Sequence, residues 1–432
     1  MKTYLLIYFL IIFVPLAIWI SWKNPLYFLV IHIISRFVLD SLSSYTYNIF
    51  VGHFTLMQSY SMFYIVLLFA YLLLRRQLFK LTGYSVVFYI IFFSFISGLI
   101  SSRIIGFVNI GSKWIYMWLC SSIMLYSLKA NPERKVFSYL SVIVMYPLAN
   151  QLYHYLFYHP KVDHNISYLG GFEHESSLAF ILLGALPFSM IMIKACNTKV
   201  MSLVFVSISI VIHIGIYMNN YRTSVVALAF FWVCIIIFGF WRLKPSKKIL
   251  LMVLSIVLPS FLIIILKDDL FRKFSDFPIF FSNPGLYIDF SGHAKQNHLF
   301  SGRIDILNMV ISAYIHSSPI QYLFGLGPEA VNDLIGVYSH NEFISALVEH
   351  GVIGLLLFLS FVLILIHRAY KTSSKYGGIY IYITSIIYSF ILMAFATMPF
   401  RDSRSMLYIG MFIAILEWSK IRQIRENNYQ DP

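Results

Sequence analysis

Long apolar runs, separated by short polar connections, set the pattern of this chain. A helix needs about 20 apolar residues to cross a bilayer, where only helices and closed barrels satisfy their own backbone. Runs without period-two alternation therefore predict helices, here at 4–22, 57–74, 84–101, 114–128, 136–157, 176–193, 200–216, 224–240, 249–266, 343–366, 379–396 and 405–418. The expectation is an all-α, polytopic helical membrane protein with about twelve spans, forming one membrane domain over 1–432. Residues 25–42 are also apolar but contain His32, Arg36 and Asp40. Charge within a span is costly, so a re-entrant or surface-lying helix is predicted there, with thirteen spans as the alternative. Arg36 and Asp40, four apart, can pair across one turn.

The one long polar excursion is 267–339, and so long a loop should contain structure of its own. Ile304, Leu307, Val310, Ile311 and Tyr314 recur at helical spacing until Ser317-Ser318-Pro319 stops them. This predicts a surface helix with Arg303 in its first turn. A second short helix is expected to begin at Pro328, after a turn at Gly325 and Gly327. Ser339-His340-Asn341-Glu342 has the form of a capping box, with Ser339 as cap and Glu342 reaching back. That reading puts His340 in the first position of a membrane helix, where the positive end of the dipole keeps imidazole neutral.

Composition sharpens this picture. Hydrophobic residues make up 59% and charged ones 12% of 432 positions, which excludes a soluble globular chain. The net charge of +14 collects in connections such as 75–80 and 241–248, which predicts those on the cytoplasmic side together with both termini. The basic excess thus reads as an orientation signal and not as a nucleic-acid surface. The first run lacks a small-residue cleavage site and reads as a retained anchor. Cys120, Cys196 and Cys234 are too few and too scattered for a disulfide framework or a metal cluster. His159, Asp163, His164, Glu173 and His174 crowd one connection without a metal spacing and read as a solvated loop. Asp268-Asp269 could hold a cation, but the pair lies far in sequence from Arg303 and His340.

On these residues the chain resembles the bacterial O-antigen polymerase and O-antigen ligase family. The matching positions are Arg303, then Leu323-Phe324-Gly325-Leu326-Gly327, then His340-Asn341-Glu342-Phe343-Ile344, then Glu349, Gly351 and Gly354. Tyr221-Arg222-Thr223-Ser224 is a second match, with Tyr221 where the family usually has serine. The resemblance implies a polyprenyl-donor glycosyltransferase fold and transfer of a glycan from undecaprenyl diphosphate to a hydroxyl. It places the active site on the periplasmic face of the inner membrane, with 267–339 as a periplasmic loop. Arg222 and Arg303 are then expected to stabilise the leaving diphosphate, since guanidinium groups clamp phosphate without a metal or other cofactor. His340 is the expected general base.

The same resemblance makes Asn341, Glu349 and Arg36 candidate substrate contacts. Each has a plainer reading: Glu349 in a water-filled mouth, Arg36 paired to Asp40, Arg222 snorkelling at a span end. Gly351 and Gly354 read as sites of close helix packing. The expected activity is O-antigen polymerase, acting on a lipid-linked oligosaccharide donor and acceptor in the bilayer, with a chain-length regulator as a further partner. Two alternatives stand beside it. One is the ligase, with lipid A core as acceptor. The other is a flippase, for which ionisable groups should gather at the bilayer midplane.

Overall fold

The computed structural model describes residues 22–51, 54–78, 84–157, 161–162, 166–240, 276–282, 284–288, 302–336 and 338–428, with positions 15 and 19 isolated. The runs expected at 4–22 and 249–266 lie almost wholly outside the described residues. So do His159, Asp163, His164, Asp268 and Asp269. What is described is a helical bundle whose only strands, among the described residues, form two-residue hairpins: β1 (Phe50–Val51) with β2 (Phe54–Thr55), and β3 (Lys161–Val162) with β4 (Ile166–Ser167).

Asn24 accepts the Leu26 N–H and Pro25 opens α1 (Pro25–Ser41), as a cap and first-turn proline should. This helix is buried in the bundle, which corrects the surface-lying half of the reading of 25–42 and leaves the re-entrant half standing. The charges that argued against burial are paired there. Arg36 Nε meets Asp40 Oδ2 at 3.1 Å, and Arg404 Nη2 meets Asp40 Oδ1 at 2.8 Å. A single turn, α2 (Ser43–Thr46), leads into the first hairpin, and a Thr55–Gln58 capping box starts α3 (Leu56–Leu74).

Helices α4 (Val86–Ile100) and α5 (Ile104–Ala130) follow. The second is longer than its apolar core at 114–128 foretold. At 1.5 Å per residue its 27 residues reach about 40 Å, so it runs from one end of the bundle to the other. The run at 136–157 is two helices, α6 (Glu133–Val142) and α7 (Met145–Phe157), rather than one span. Pro147 is the reason, because it has no N–H to offer the Ile143 carbonyl and its ring clashes with that turn.

Helix α8 (Glu175–Ala195) is the most enclosed of the described helices long and apolar enough to cross a membrane. It is followed by α9 (Lys199–Met218) and α10 (Arg222–Phe240). The described parts of 267–339 hold α11 (Asp276–Ser282), α12 (Arg303–Ile315), α13 (Pro319–Phe324) and α14 (Ala330–Ile335). The helix at Arg303 is where the periodicity put it. Pro319 ends one helix but also opens the next, with the Ser318 N–H donating to Gln321 Oε1 at 2.9 Å. The following helix begins at Ala330 and not at Pro328. The Pro328 carbonyl occupies the space a Cβ on Gly106 would need, at 2.4 Å, so Pro328 is fastened to α5 and the turn falls on Glu329.

The chain ends in α15 (Glu342–Tyr376), α16 (Ile379–Met393) and α17 (Ser403–Asn428). Helix α15 is broken at Gly351, whose φ is 65°. The break frees carbonyls that a continuous helix would use. Val348 and Glu349 accept the N–H groups of Leu326 and Gly327 at 2.8 and 3.0 Å, and Ser97 Oγ donates to Phe324 O at 2.7 Å. The loop with its paired glycines is thereby laid across the broken helix. Against α5, Gly410 lets α17 approach until Ser121 Oγ donates to the Gly410 carbonyl at 2.8 Å.

Five described helices are long and apolar enough to cross a membrane: Leu56–Leu74, Glu175–Ala195, Lys199–Met218, Arg222–Gly239 and Glu342–Tyr376. Val86–Ile100 and Ile379–Met393 are shorter apolar helices. The chain is a multi-pass helical membrane protein. Polar groups sort to the two ends of α5. Near its C-terminal end Trp418 Nε1 donates to Glu133 at 2.6 Å and Arg422 pairs with Glu133 at 3.3 Å. Near its N-terminal end lie the loop helices and the residues described next.

Candidate functional site

The helix that follows His340 is capped by Asn341 and not by Ser339. Asn341 Oδ1 accepts from Phe343 and Ile344 N–H at 3.0 and 3.1 Å, while its amide donates to Phe395 O at 3.1 Å. Ser339 is drawn away, accepting the Asn341 N–H and bonding Ser345 Oγ. Glu342 turns inward towards Arg401, at 3.5 Å. His340 therefore stands outside the helix, with φ 54° in the left-handed region that few side chains adopt. A neutral imidazole is retained for another reason than the dipole. Burial, then Arg303, then His174 pull its pKa down to about 4.

His340 opens onto a cavity of ≈ 500 Å³. Helix α1 contributes His32 and Arg36, and α3 contributes Tyr60, Ser61 and Tyr64. Asn109, Ser112, Lys113 and Tyr116 come from α5, and Glu173 and His174 from the entry to α8. The connection between α16 and α17 supplies Arg401 and Asp402, and the first turn of α17 supplies Ser403 and Arg404. Helix α5 fits this duty because Asn109, Ser112, Lys113 and Tyr116 recur at three- and four-residue intervals, on one face.

The arginines are held rigidly. Arg36 donates to Ser403 Oγ at 2.8 Å as well as to Asp40, and Arg404 bridges Asp40 and Asp402, each at 2.8 Å. Arg401 Nη1 pairs with Glu349 at 2.7 Å. At the inner end His32 Nε2 meets the Tyr116 hydroxyl at 2.5 Å, beneath the ring of Tyr64 at 4.2 Å.

The expected site residues are thus distributed unevenly. His340 and Arg36 line the cavity. Arg303, the first residue of α12, lies off the wall but within electrostatic reach of His340. Arg222 opens α10 and pairs with Asp276 at 3.4 Å, away from the lining, although the ring of its neighbour Tyr221 sits 6.3 Å from that of His174. Asn341 is committed to its cap. Glu349 is fully enclosed between Arg401 and the Glu329 N–H, the latter at 3.0 Å, and meets neither His340 nor the open cavity. Glu173 and His174 are exposed, as a solvated loop requires, and they also border the cavity.

Lys113, Arg401, Asp402 and Arg404 were not foreseen. The sequence holds a signal for three of them: Arg401-Asp402-Ser403-Arg404 sets three charges in four positions between the apolar runs at 379–396 and 405–418. Lys113 directly precedes the apolar run at 114–128, where it reads as an ordinary span end. Among the described residues, no group of three or more His, Cys, Asp or Glu is arranged to hold a metal ion.

Comparison with known families gives one match, between residues 204–359 and the family model described as O-antigen ligase. No curated protein matches the chain. The matched segment contains Arg222, Arg303, His340 and Glu349 but none of the lining residues from α1, α3, α5 or the 397–404 connection. Residues 204–359 thus carry the likeness to the O-antigen polymerases and ligases, by the family model as well as by the motifs.

Proposed function

We propose that the chain is a glycosyltransferase that moves a growing glycan from undecaprenyl diphosphate to a hydroxyl of a lipid-linked repeat unit, as an O-antigen polymerase. The observation that carries this reading is His340, a neutral imidazole opening onto a cavity whose walls also present Arg36, Lys113, Arg401 and Arg404. In the reaction the acceptor oxygen attacks the anomeric carbon and its proton passes to His340. The bond from that carbon to the diphosphate oxygen breaks, and the electron pair leaves with the diphosphate. Guanidinium groups meet the charge as it develops, Arg303 from the first turn of α12 and Arg222 from the first turn of α10. They supply without a metal the stabilisation a metal would otherwise give. An imidazole near pKa 4 is a weak base in the empty site, and a docked diphosphate dianion raises it by opposing Arg303. The cavity faces the periplasm of the inner membrane in this reading, since the basic connections mark the other side.

The ligase is the second reading, favoured by the family description itself. Donor chemistry is common to both, and only the acceptor differs. Single replacement of His340, Arg222 and Arg303 by Ala, followed by gel analysis of surface polysaccharide, separates them. Loss of polymerase leaves one repeat unit on the core. Loss of ligase leaves bare core while long glycan accumulates on lipid. A full ladder from every variant at normal protein level overturns the assignment.

A further inference from the structure

Four cations line the cavity, and three of them are already engaged. Arg36 is paired with Asp40, Arg404 with Asp40 and Asp402, and Arg401 with Glu349 and Glu342. Lys113 differs. Among the described residues no carboxylate lies within ion-pair distance of its ammonium and no hydrogen bond is made to it, while Glu329, Asp402, Glu342 and Arg401 act on it only from further away. The residue is half-buried, on the face of α5 that carries Asn109 one turn above and Tyr116 one turn below.

A half-buried ammonium without a close anion has lost part of its hydration uncompensated, so a site that keeps one gains by receiving an anion. The neighbours cannot swing over to supply it. Asn109 donates to Glu329 and so holds that carboxylate near the head of α14, and Asp402 is clamped by Arg404 through both its carboxylate oxygens. A lysine on a flexible stem, beside the rigid arginines, is also the side chain best able to follow a ligand as charge moves along it.

We propose that Lys113 is the anion-binding residue of this cavity and takes an oxyanion of the substrate, either a phosphate of the lipid diphosphate or the carboxylate of an acidic sugar. The proposal rests on the glycosyltransferase reading of the same cavity and adds the group that selects charge there. The sugar carrying the oxyanion, or attached to it, then lies towards Tyr116, Tyr60 and Tyr64, aromatic faces of the kind sugar rings stack upon.

The test uses the purified full-length chain and its Lys113→Met and Lys113→Arg variants. Retention of undecaprenyl diphosphate is followed by native mass spectrometry with undecaprenol as the uncharged control. Binding of methyl glucuronide against methyl glucoside is followed by saturation-transfer NMR. If the phosphate is the ligand, Lys113→Met lowers retention of the diphosphate by about tenfold or more and Lys113→Arg largely restores it. If the carboxylate is the ligand, the wild type prefers the glucuronide and Lys113→Met loses that preference. Unchanged diphosphate retention in Lys113→Met, together with no preference of the wild type for the glucuronide, overturns the proposal. So does a fall in binding that only tracks a lower melting temperature and that Lys113→Arg does not mend. His340→Ala, tested alongside, reports on catalysis and not on retention, so failure of the glycosyltransferase reading would show as full transfer by that variant.

Discussion

Arg401 Nη1 lies 2.7 Å from Glu349 Oε2, joining the connection before α17 to the last turn of α15 before its break. Both side chains are enclosed, and Glu342 stands on the other side of the guanidinium at 3.5 Å. The pair sets where the 397–404 connection sits, and with it Asp402, Ser403 and Arg404 in the cavity wall. Glu349 thus touches the cavity wall only through Arg401.

Glu349→Ala should therefore be strongly destabilising. Removing one partner of a buried pair leaves an uncompensated charge and typically costs about 3–5 kcal/mol. A lower melting temperature of the purified protein, with a reduced level in membranes, is the expected result. A variant as stable as wild type would show that the pair does not hold the connection.

On the proposed role of His340 as general base, His340→Ala should leave the protein folded and reduce transfer by about 10²–10⁴, the usual contribution of such a group. The sign of the pH dependence follows from its environment. Its pKa is depressed to about 4 by burial and by Arg303 and His174, so the free enzyme holds it neutral from alkaline pH down to about 5. kcat/KM should show no histidine limb near 6.5 and should fall only at lower pH. The same shift makes acid destabilising, because the unfolded chain takes up the proton first: stability attributable to His340 declines as pH drops from about 6.5 towards 4.

Arg303→Met should move that limb upward, since the guanidinium is the second cause of the depression. The shape of the pH profile carries this prediction, whatever the loss in height. A limb that stays in place would separate Arg303 from the imidazole.

Gly325→Ala should disrupt the fold locally. A Cβ there would stand 2.2 Å from the Glu349 carbonyl, and φ is +79°. Neither the backbone contact nor the left-handed angle can be relieved by rotating a side chain, and strain of this kind costs about 1–3 kcal/mol before the clash is counted. Thermal unfolding with limited proteolysis across 316–328 is the check; wild-type resistance would contradict the packing described.

The helices at 57–74, 176–193, 200–216 and 224–240 were readable because each is an uninterrupted apolar run, and lipid leaves such a run one regular structure. The amphipathic helix at Arg303 was readable from its period. The conformation of His340 was not, because Ser339 and Asn341 are equally good caps and only tertiary contacts, to Ser345 and to Phe395, decide between them. Pro147 was in plain view, yet the apolar run across it concealed the break. The cavity itself escaped most completely. Arg36, Lys113 and Arg404 each have a bland local explanation, and nothing near any of them in the chain names its companions.

Asp40 and Arg404 meet across 364 positions of sequence. Ribosomes thread a chain from its N-terminus, so α1 is made and inserted long before its guanidinium partner exists. Until α17 emerges Asp40 has only Arg36 beside it, and one wall of the cavity is missing. A chain cut short before residue 404 therefore keeps Asp40 beside Arg36 alone, and its cavity lacks the wall that 401–404 supply.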